Sequence, residues 1–247
     1  GNDFVSLGVG DLGFGGDGTG EVDRLRLDFG ALAPGQANYA TGVAYNLATQ
    51  GQTLTTLANG AQLDGFESLD FYGGAGRDVV FGGLLSDDLD GGIGNDVLRG
   101  SSGNDGLRGG EGRDDLDGGA GNDTLSDGDS IERGVADILS GGSGNDGITD
   151  GYGADTLEGD AGDDTIYGGA SDDSLNGGSG NDWLSGDGGA DELTGGAGVD
   201  DFVLERDEVG FGDTYWPGDL IADYARASDN LAVLRSEFGY TAASQVR

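Results

Sequence analysis

From Gly73 to Val203 the chain repeats every nine residues, and the repeat keeps its phase across fourteen units. GGAGRDVVF, GGLLSDDLD, GGIGNDVLR, GSSGNDGLR, GGEGRDDLD and GGAGNDTLS come first. A unit from Asp127 to Ser140 carries five extra residues. GGSGNDGIT, DGYGADTLE, GDAGDDTIY, GGASDDSLN, GGSGNDWLS, GDGGADELT and GGAGVDDFV complete the run. Position six is always aspartate: Asp78, Asp87, Asp96, Asp105, Asp114, Asp123, Asp137, Asp146, Asp155, Asp164, Asp173, Asp182, Asp191 and Asp200. Position eight is always apolar, from Val80 and Leu89 through Leu98, Leu139 and Ile166 to Phe202. A period this short and this regular predicts a solenoid.

Each unit joins a turn to a short strand. The Gly-rich half, such as Gly91-Gly92-Ile93-Gly94, reaches positive φ without a Cβ clash and bends tightly. The second half, such as Val97-Leu98-Arg99, alternates out, in, out, which turns Leu98 toward one face. Two units then make a coil of eighteen residues, with two turns and two opposed strands. Stacked coils bury position eight between two sheets.

Stacking also sets equivalent turns about 4.8 Å apart. Asp78 comes to lie near Asp96, and Asp87 near Asp105. Carboxylates at that spacing repel unless a hard cation sits between them. The Gly turns aim backbone carbonyls at the same point, among them those of Gly91, Gly94, Gly118, Gly121, Gly141, Gly144, Gly177 and Gly180. Carboxylate and carbonyl oxygens, six to eight in number and flexible in placement, suit Ca²⁺ better than Mg²⁺. Without His or Cys in the chain, zinc is a poor fit. Fourteen position-six aspartates, each paired with the one two units ahead, predict about twelve ions. A single Asp beside Gly is usually a solvated turn residue; fourteen in register argue for ligands.

GGIGNDVLR and GGSGNDWLS resemble the GGxGxDxUx nonapeptide of the RTX (repeats-in-toxin) family of secreted bacterial proteins. The resemblance covers 73–203. It implies an all-β, right-handed parallel β-roll with calcium in the turns, and export by the type I secretion machinery to the extracellular space or cell surface. Departures are local: Leu85 and Ser171 replace the position-four Gly, Asp127 and Asp150 the first Gly, and Asp160 and Asp187 the second. Sites beside them are expected to be weaker. The insertion around 130–135 is expected to bulge out as a loop.

The flanks read differently. Gly1 to Ser6 matches positions four to nine of another unit, which predicts further repeats upstream. Arg24-Leu25-Arg26-Leu27-Asp28-Phe29 alternates like a half-buried strand. With Pro34-Gly35 and Asn59-Gly60 as turns, residues 1–72 read as a partial repeat plus an antiparallel β segment. Residues 204–247 read as a β cap, since a solenoid must hide its last open edge. Asp219-Leu220-Ile221-Ala222-Asp223-Tyr224 and Asp229-Asn230-Leu231 resemble the segment that often closes RTX rolls. Phe202, Trp216, Tyr224 and Phe238 are expected to pack it. Asp219 and Asp223 are candidate ligands or solvated strand ends.

Charge narrows the partners. A formal net charge of −36 excludes nucleic acid as a natural partner. No apolar run is long enough to span a bilayer, and no N-terminal signal peptide is visible. Lacking His and Cys, the chain can hold neither a Ser-His-Asp triad nor a Cys-His pair, so no catalysis is expected. Three roles remain. The first is a structural or adhesive part of a surface protein, S-layer- or adhesin-like, binding copies of itself or cell-surface polysaccharide. The second is the secretion and folding module of an exported protease, lipase or alginate epimerase. The third is a polysaccharide- or ice-binding solenoid. Ice binding wants a flat array of Thr or Asn, and position seven runs Val79, Asp88, Val97, Gly106, Asp115, Thr124. Trp183, Tyr152 and Tyr167 form no aromatic row.

Overall fold

The computed structural model describes residues 68–128, 135–205, 219–225, 229–237 and 240–245, with six strands before residue 68 at Phe4–Leu7, Leu12–Phe14, Arg24–Asp28, Ala44–Asn46, Thr55–Thr56 and Gln62–Asp64. The repeat region is a parallel β-solenoid of two facing sheets, with no helix among the described residues. Successive units alternate between the sheets, so each strand pairs with the one two units away. Leu98 thus aligns with Val80 and Leu116, and Leu107 with Leu89 and Leu125.

Position eight forms the core as expected. Val80, Leu89, Leu98, Leu116, Leu125, Leu139, Ile148, Leu157, Ile166, Leu184, Leu193 and Phe202 are each 0% exposed. One column of apolar side chains therefore runs the length of the roll. Many strands are longer than the three residues expected. Val97–Ser102, Asp115–Ala120 and Ser174–Ser179 continue through the first three positions of the next unit. Small side chains let the Gly-Gly backbone enter the ladder, which narrows the turn to positions four to six.

The insertion leaves the stacking intact. Asp115 pairs with Ile138, and Thr124 with Gly147, in unbroken register. Residues 129–134, where the bulge was expected, lie outside the described residues.

The N-terminal pairing corrects the antiparallel expectation. Phe4–Leu7 pairs parallel with Arg24–Asp28, which pairs parallel with Ser68–Tyr72, which pairs parallel with Asp88–Ile93. Ala44–Asn46 joins the opposite sheet, parallel to Val79–Phe81. Only Thr55–Thr56 and Gln62–Asp64 pair antiparallel there, among the described strands. The alternating strand at 24–28 finds its partner on the open edge of the roll, where Leu27 is 2% exposed and Phe71 0%. Burying that apolar face on an existing sheet favours continuing the parallel stack.

At the other end, Leu220–Ile221 pairs with Glu192–Ala197, and Asn230–Glu237 with Asp201–Glu205, both parallel. Tyr240–Gln245 then folds back antiparallel on Asn230–Glu237. Phe202 and Tyr224 meet edge-on, centroids 6.2 Å apart. Trp216 and Phe238, the other expected cap aromatics, lie outside the described residues.

Candidate metal centre

The position-six aspartates are buried, not solvated: Asp78, Asp96, Asp114, Asp137, Asp164, Asp191 and Asp200 are 1% exposed, and the other seven 2–3%. They form two files, one along each edge of the roll. Asp78, Asp96, Asp114, Asp137, Asp155, Asp173 and Asp191 make one, and Asp87, Asp105, Asp123, Asp146, Asp164, Asp182 and Asp200 the other. Within each file the backbone N–H of one Asp donates to Oδ1 of the next, at 2.6–3.1 Å over all twelve steps. The two steps that cross the insertion, Asp114 to Asp137 and Asp123 to Asp146, measure 2.6 and 2.7 Å.

Both files run on into the C-terminal segment. Asp191 N–H donates to Asp219 Oδ1 at 3.2 Å, and Asp200 N–H to Asp229 Oδ1 at 3.5 Å. Asp219 therefore stands in a position-six place, as does Asp229, which the sequence reading had not singled out. Asp223 instead accepts the N–H groups of Gly195 and Gly196, at 2.9 and 2.7 Å.

The second carboxylate oxygen is the informative one. Oδ2 of Asp96, Asp105, Asp114, Asp123, Asp146, Asp155, Asp164, Asp173, Asp182 and Asp191 is buried without a hydrogen-bond partner. A buried charged oxygen left unpaired is costly. Those of Asp96, Asp105, Asp123, Asp164 and Asp173 stand beside a position-one carbonyl of the coil ahead. A Cβ on Gly91 would stand 2.5 Å from Asp96 Oδ2 and 2.6 Å from the Gly109 carbonyl oxygen. A Cβ on Gly118 would stand 2.5 Å from Asp123 Oδ2 and 2.7 Å from the Gly141 oxygen. The carbonyls of Gly91, Gly118 and Gly177 meet Asp78, Asp105 and Asp164 in the same way. Glycine at position one thus keeps open a small cradle lined by hard oxygen donors, and a hard cation fits it.

The position-four glycines hydrogen-bond to the coil ahead. The Gly94 N–H donates to the Glu111 carbonyl at 2.7 Å, Gly121 to Ser143 at 2.8 Å, Gly144 to Ala161 at 2.7 Å and Gly180 to Ala197 at 2.9 Å. Their φ values of 158, 141, 128 and 142° explain the glycine. Asp160 and Asp187 adopt φ of 70 and 60°, and Ser171 110°; Asp tolerates the left-handed region better than most residues.

One feature went unread in the sequence. Position five of one edge forms an exposed amide ladder: Asn122 N–H donates to Asn104 Oδ1, Asn145 to Asn122, Asp163 to Asn145, Asn181 to Asp163 and Val199 to Asn181, at 2.8–3.1 Å. The recurrent GND triplet was its signal. At the Leu84-Leu85 turn, singled out by its missing glycine, Gly83 N–H donates to Asp87 Oδ2 at 2.6 Å. Its second oxygen is thus partnered within its own turn, unlike those above.

Electrostatics follow from burial. Desolvation lifts Asp114 and Asp173 to about 8, Asp164 and Asp191 to about 7, and Asp96, Asp105 and Asp146 to about 6, from 3.8. Backbone N–H donors pull the other way, and neighbouring carboxylates add to the rise. A carboxyl with a higher pKa folded than unfolded holds its proton more tightly in the roll. The metal-free roll is therefore favoured below about pH 4 and increasingly disfavoured as the pH climbs toward 8. In chelator, acidification from pH 7.5 to 4 is expected to increase the β signal in circular dichroism. A metal-free spectrum that is flat across that range would count against these buried carboxyls.

Stacked short coils with a buried carboxylate and an oxygen-lined cradle at each turn define a metal-binding parallel β-solenoid. A family model described as the RTX calcium-binding nonapeptide repeat, four copies long, matches residues 71–89, 90–125, 136–148, 149–184 and 167–202. The chain belongs to the RTX calcium-binding nonapeptide repeat family. No curated protein matches it.

Proposed function

We propose that this chain is the calcium-folded region of a larger secreted or cell-surface bacterial protein, with a structural or adhesive role rather than a catalytic one. The observation that carries the reading is the row of buried Oδ2 atoms without partners, several of them beside a carbonyl of the next coil at a glycine cradle. Calcium, held by the fourteen position-six carboxylates and the facing carbonyls, supplies the missing positive charge. Each of the twelve Asp-to-Asp steps would hold an ion, giving about twelve in the roll. Copies of the same chain or cell-surface polysaccharide are the partners that suit an adhesive role. No helix among the described residues is long and apolar enough to cross a membrane.

Export couples to folding. Calcium sites of extracellular modules have Kd on the order of 10⁻⁴–10⁻³ M, far above cytosolic calcium. Inside the cell the charge of −36 keeps the chain expanded, a form able to thread a type I secretion channel. Outside, calcium neutralises the turns and the roll closes, which opposes backward sliding. Asp146, Asp155, Asp164 and Asp173 replaced together by Asn test this. Asn Oδ1 keeps the N–H ladder while four charges are lost. Calcium affinity is expected to fall at least about tenfold, since affinity in oxygen-ligand sites rises with the number of charged ligands. The yield of folded protein outside the cell is expected to fall with it. If affinity collapses while export and outside yield hold, calcium is structural only and plays no part in secretion.

A further inference from the structure

Two turns on one edge differ in kind from the others. Position one of that edge is glycine at 73, 91, 109, 168 and 186, but aspartate at 127 and 150. Where glycine leaves the cradle open, these two positions send a side chain with its own carboxylate into it. Asp127 is 0% exposed and Asp150 8%. Carboxylate oxygens of Asp114, Asp127 and Asp137 lie within 4.8 Å of one another. One coil further on, Asp150 lies against Asp155, with the charge of Asp127 also acting on it. The carbonyl of Val135 faces Gly153 beside the Asp155 carboxylate, adding a neutral oxygen.

The second observation concerns single oxygens. Asp150 Oδ1 accepts the Gly151 N–H at 2.7 Å, whereas its buried Oδ2 meets no N–H donor, and the adjoining Asp155 carboxyl can only share a proton or a cation with it. Oδ2 of Asp114 and of Asp155 is in the same condition. The guanidinium that reaches this turn, Arg108, donates to the Gly128 carbonyl at 3.3 Å. Carboxylates this close and this dry must share a proton or hold a cation between them.

We propose that the turns at Asp127 and Asp150 form a cation site of a second kind, built from carboxylates at both position one and position six. They take the first calcium ions that the chain binds, and accept a trivalent lanthanide in their place. This rests on the calcium reading above and adds an order to it. Affinity in oxygen-ligand sites rises with the number of charged ligands and with rigidity. The regular turns offer position-six carboxylates and neutral carbonyls. This pair of turns adds a carboxylate at each, within a wall of strands whose register holds across the insertion.

Calcium titration by chelator competition tests the order, on the full chain and on Asp127→Gly/Asp150→Gly. Glycine is the residue of the neighbouring coils at position one, so the variant should reach the same circular dichroism in saturating calcium. An Asp127→Asn/Asp150→Asn variant, which keeps side-chain size, serves if the glycine variant does not fold. The unmodified chain is expected to show one or two ions bound at least tenfold more tightly than the rest, and the variant to lose that step alone. Terbium titration with tyrosine excitation should show the same step, because Tyr152 lies two residues from Asp150. Uniform binding in the unmodified chain would overturn the proposal. So would a variant that keeps the tight step, or one that binds its first ion more tightly, which would mean that the extra carboxylates obstruct the cradle. A chain that binds no calcium at all would instead remove the underlying calcium reading.

Discussion

Removing calcium with EDTA at pH 7.5 is expected to abolish the β-sheet circular dichroism of the roll, and millimolar calcium to restore it. The expectation rests on the interior of the turns. Ten position-six carboxylates hold an Oδ2 that is buried and unpartnered. An unsatisfied buried polar group costs about 1–3 kcal/mol, and a charged one more. Even at the low end, ten such groups cost about 10 kcal/mol, as much as the whole stability of about 5–15 kcal/mol that a typical domain possesses. The core offers little in reserve, since each coil buries only two position-eight side chains. Metal binding then becomes folding free energy. A β spectrum indifferent to EDTA at neutral pH would show that the roll stands without its ions.

Gly118→Val should weaken calcium-dependent folding strongly by filling one cradle. The added Cβ would lie 2.5 Å from Asp123 Oδ2 and 2.7 Å from the Gly141 carbonyl oxygen. Valine thus occupies the volume where the ion would sit and brings no oxygen to replace it. Overpacking alone costs about 1–3 kcal/mol, and loss of the ion between Asp123 and Asp146 adds to that. The calcium concentration for half-folding is expected to rise severalfold, with one ion fewer bound at saturation. Ala120→Val is the control, two residues away at an exposed position, and should leave both quantities unchanged. Equal behaviour of the two variants would mean that the cradle at Gly118 is not where calcium sits.

The roll was legible because its rule is local and repeated. Leu98 and Asp96 occupy the same environments as Leu139 and Asp137, so one unit read correctly reads them all. What escaped the sequence depends on pairing between distant segments. Arg24 aligns with Ser68, 44 positions on, and no nine-residue beat announces it. The alternation at 24–28 identified a strand but not its partner, and the antiparallel guess followed from turn residues alone. Asp219 and Asp229 continue the files at spacings of 28 and 29 rather than eighteen. The repeat there is broken in sequence while the stacking continues in space. Asp127 and Asp150 were visible as departures from glycine, but only burial distinguishes a carboxylate that crowds a site from one that belongs to it.

The preserved register around the insertion has a consequence for how such a chain can change over time. Five added residues between Asp114 and Asp137 leave a hydrogen bond of 2.6 Å between them, and the long excursion between Asp28 and Ser68 leaves two strands aligned over five residues. Each coil contacts its neighbours and little else, so a turn can lengthen without altering the next one. Doubling a flexible loop costs only about 0.6 kcal/mol. Each edge of the roll is therefore a rack of tolerant graft points: new sequence can be hung at one turn, tried by selection, and discarded while the remaining coils keep their alignment.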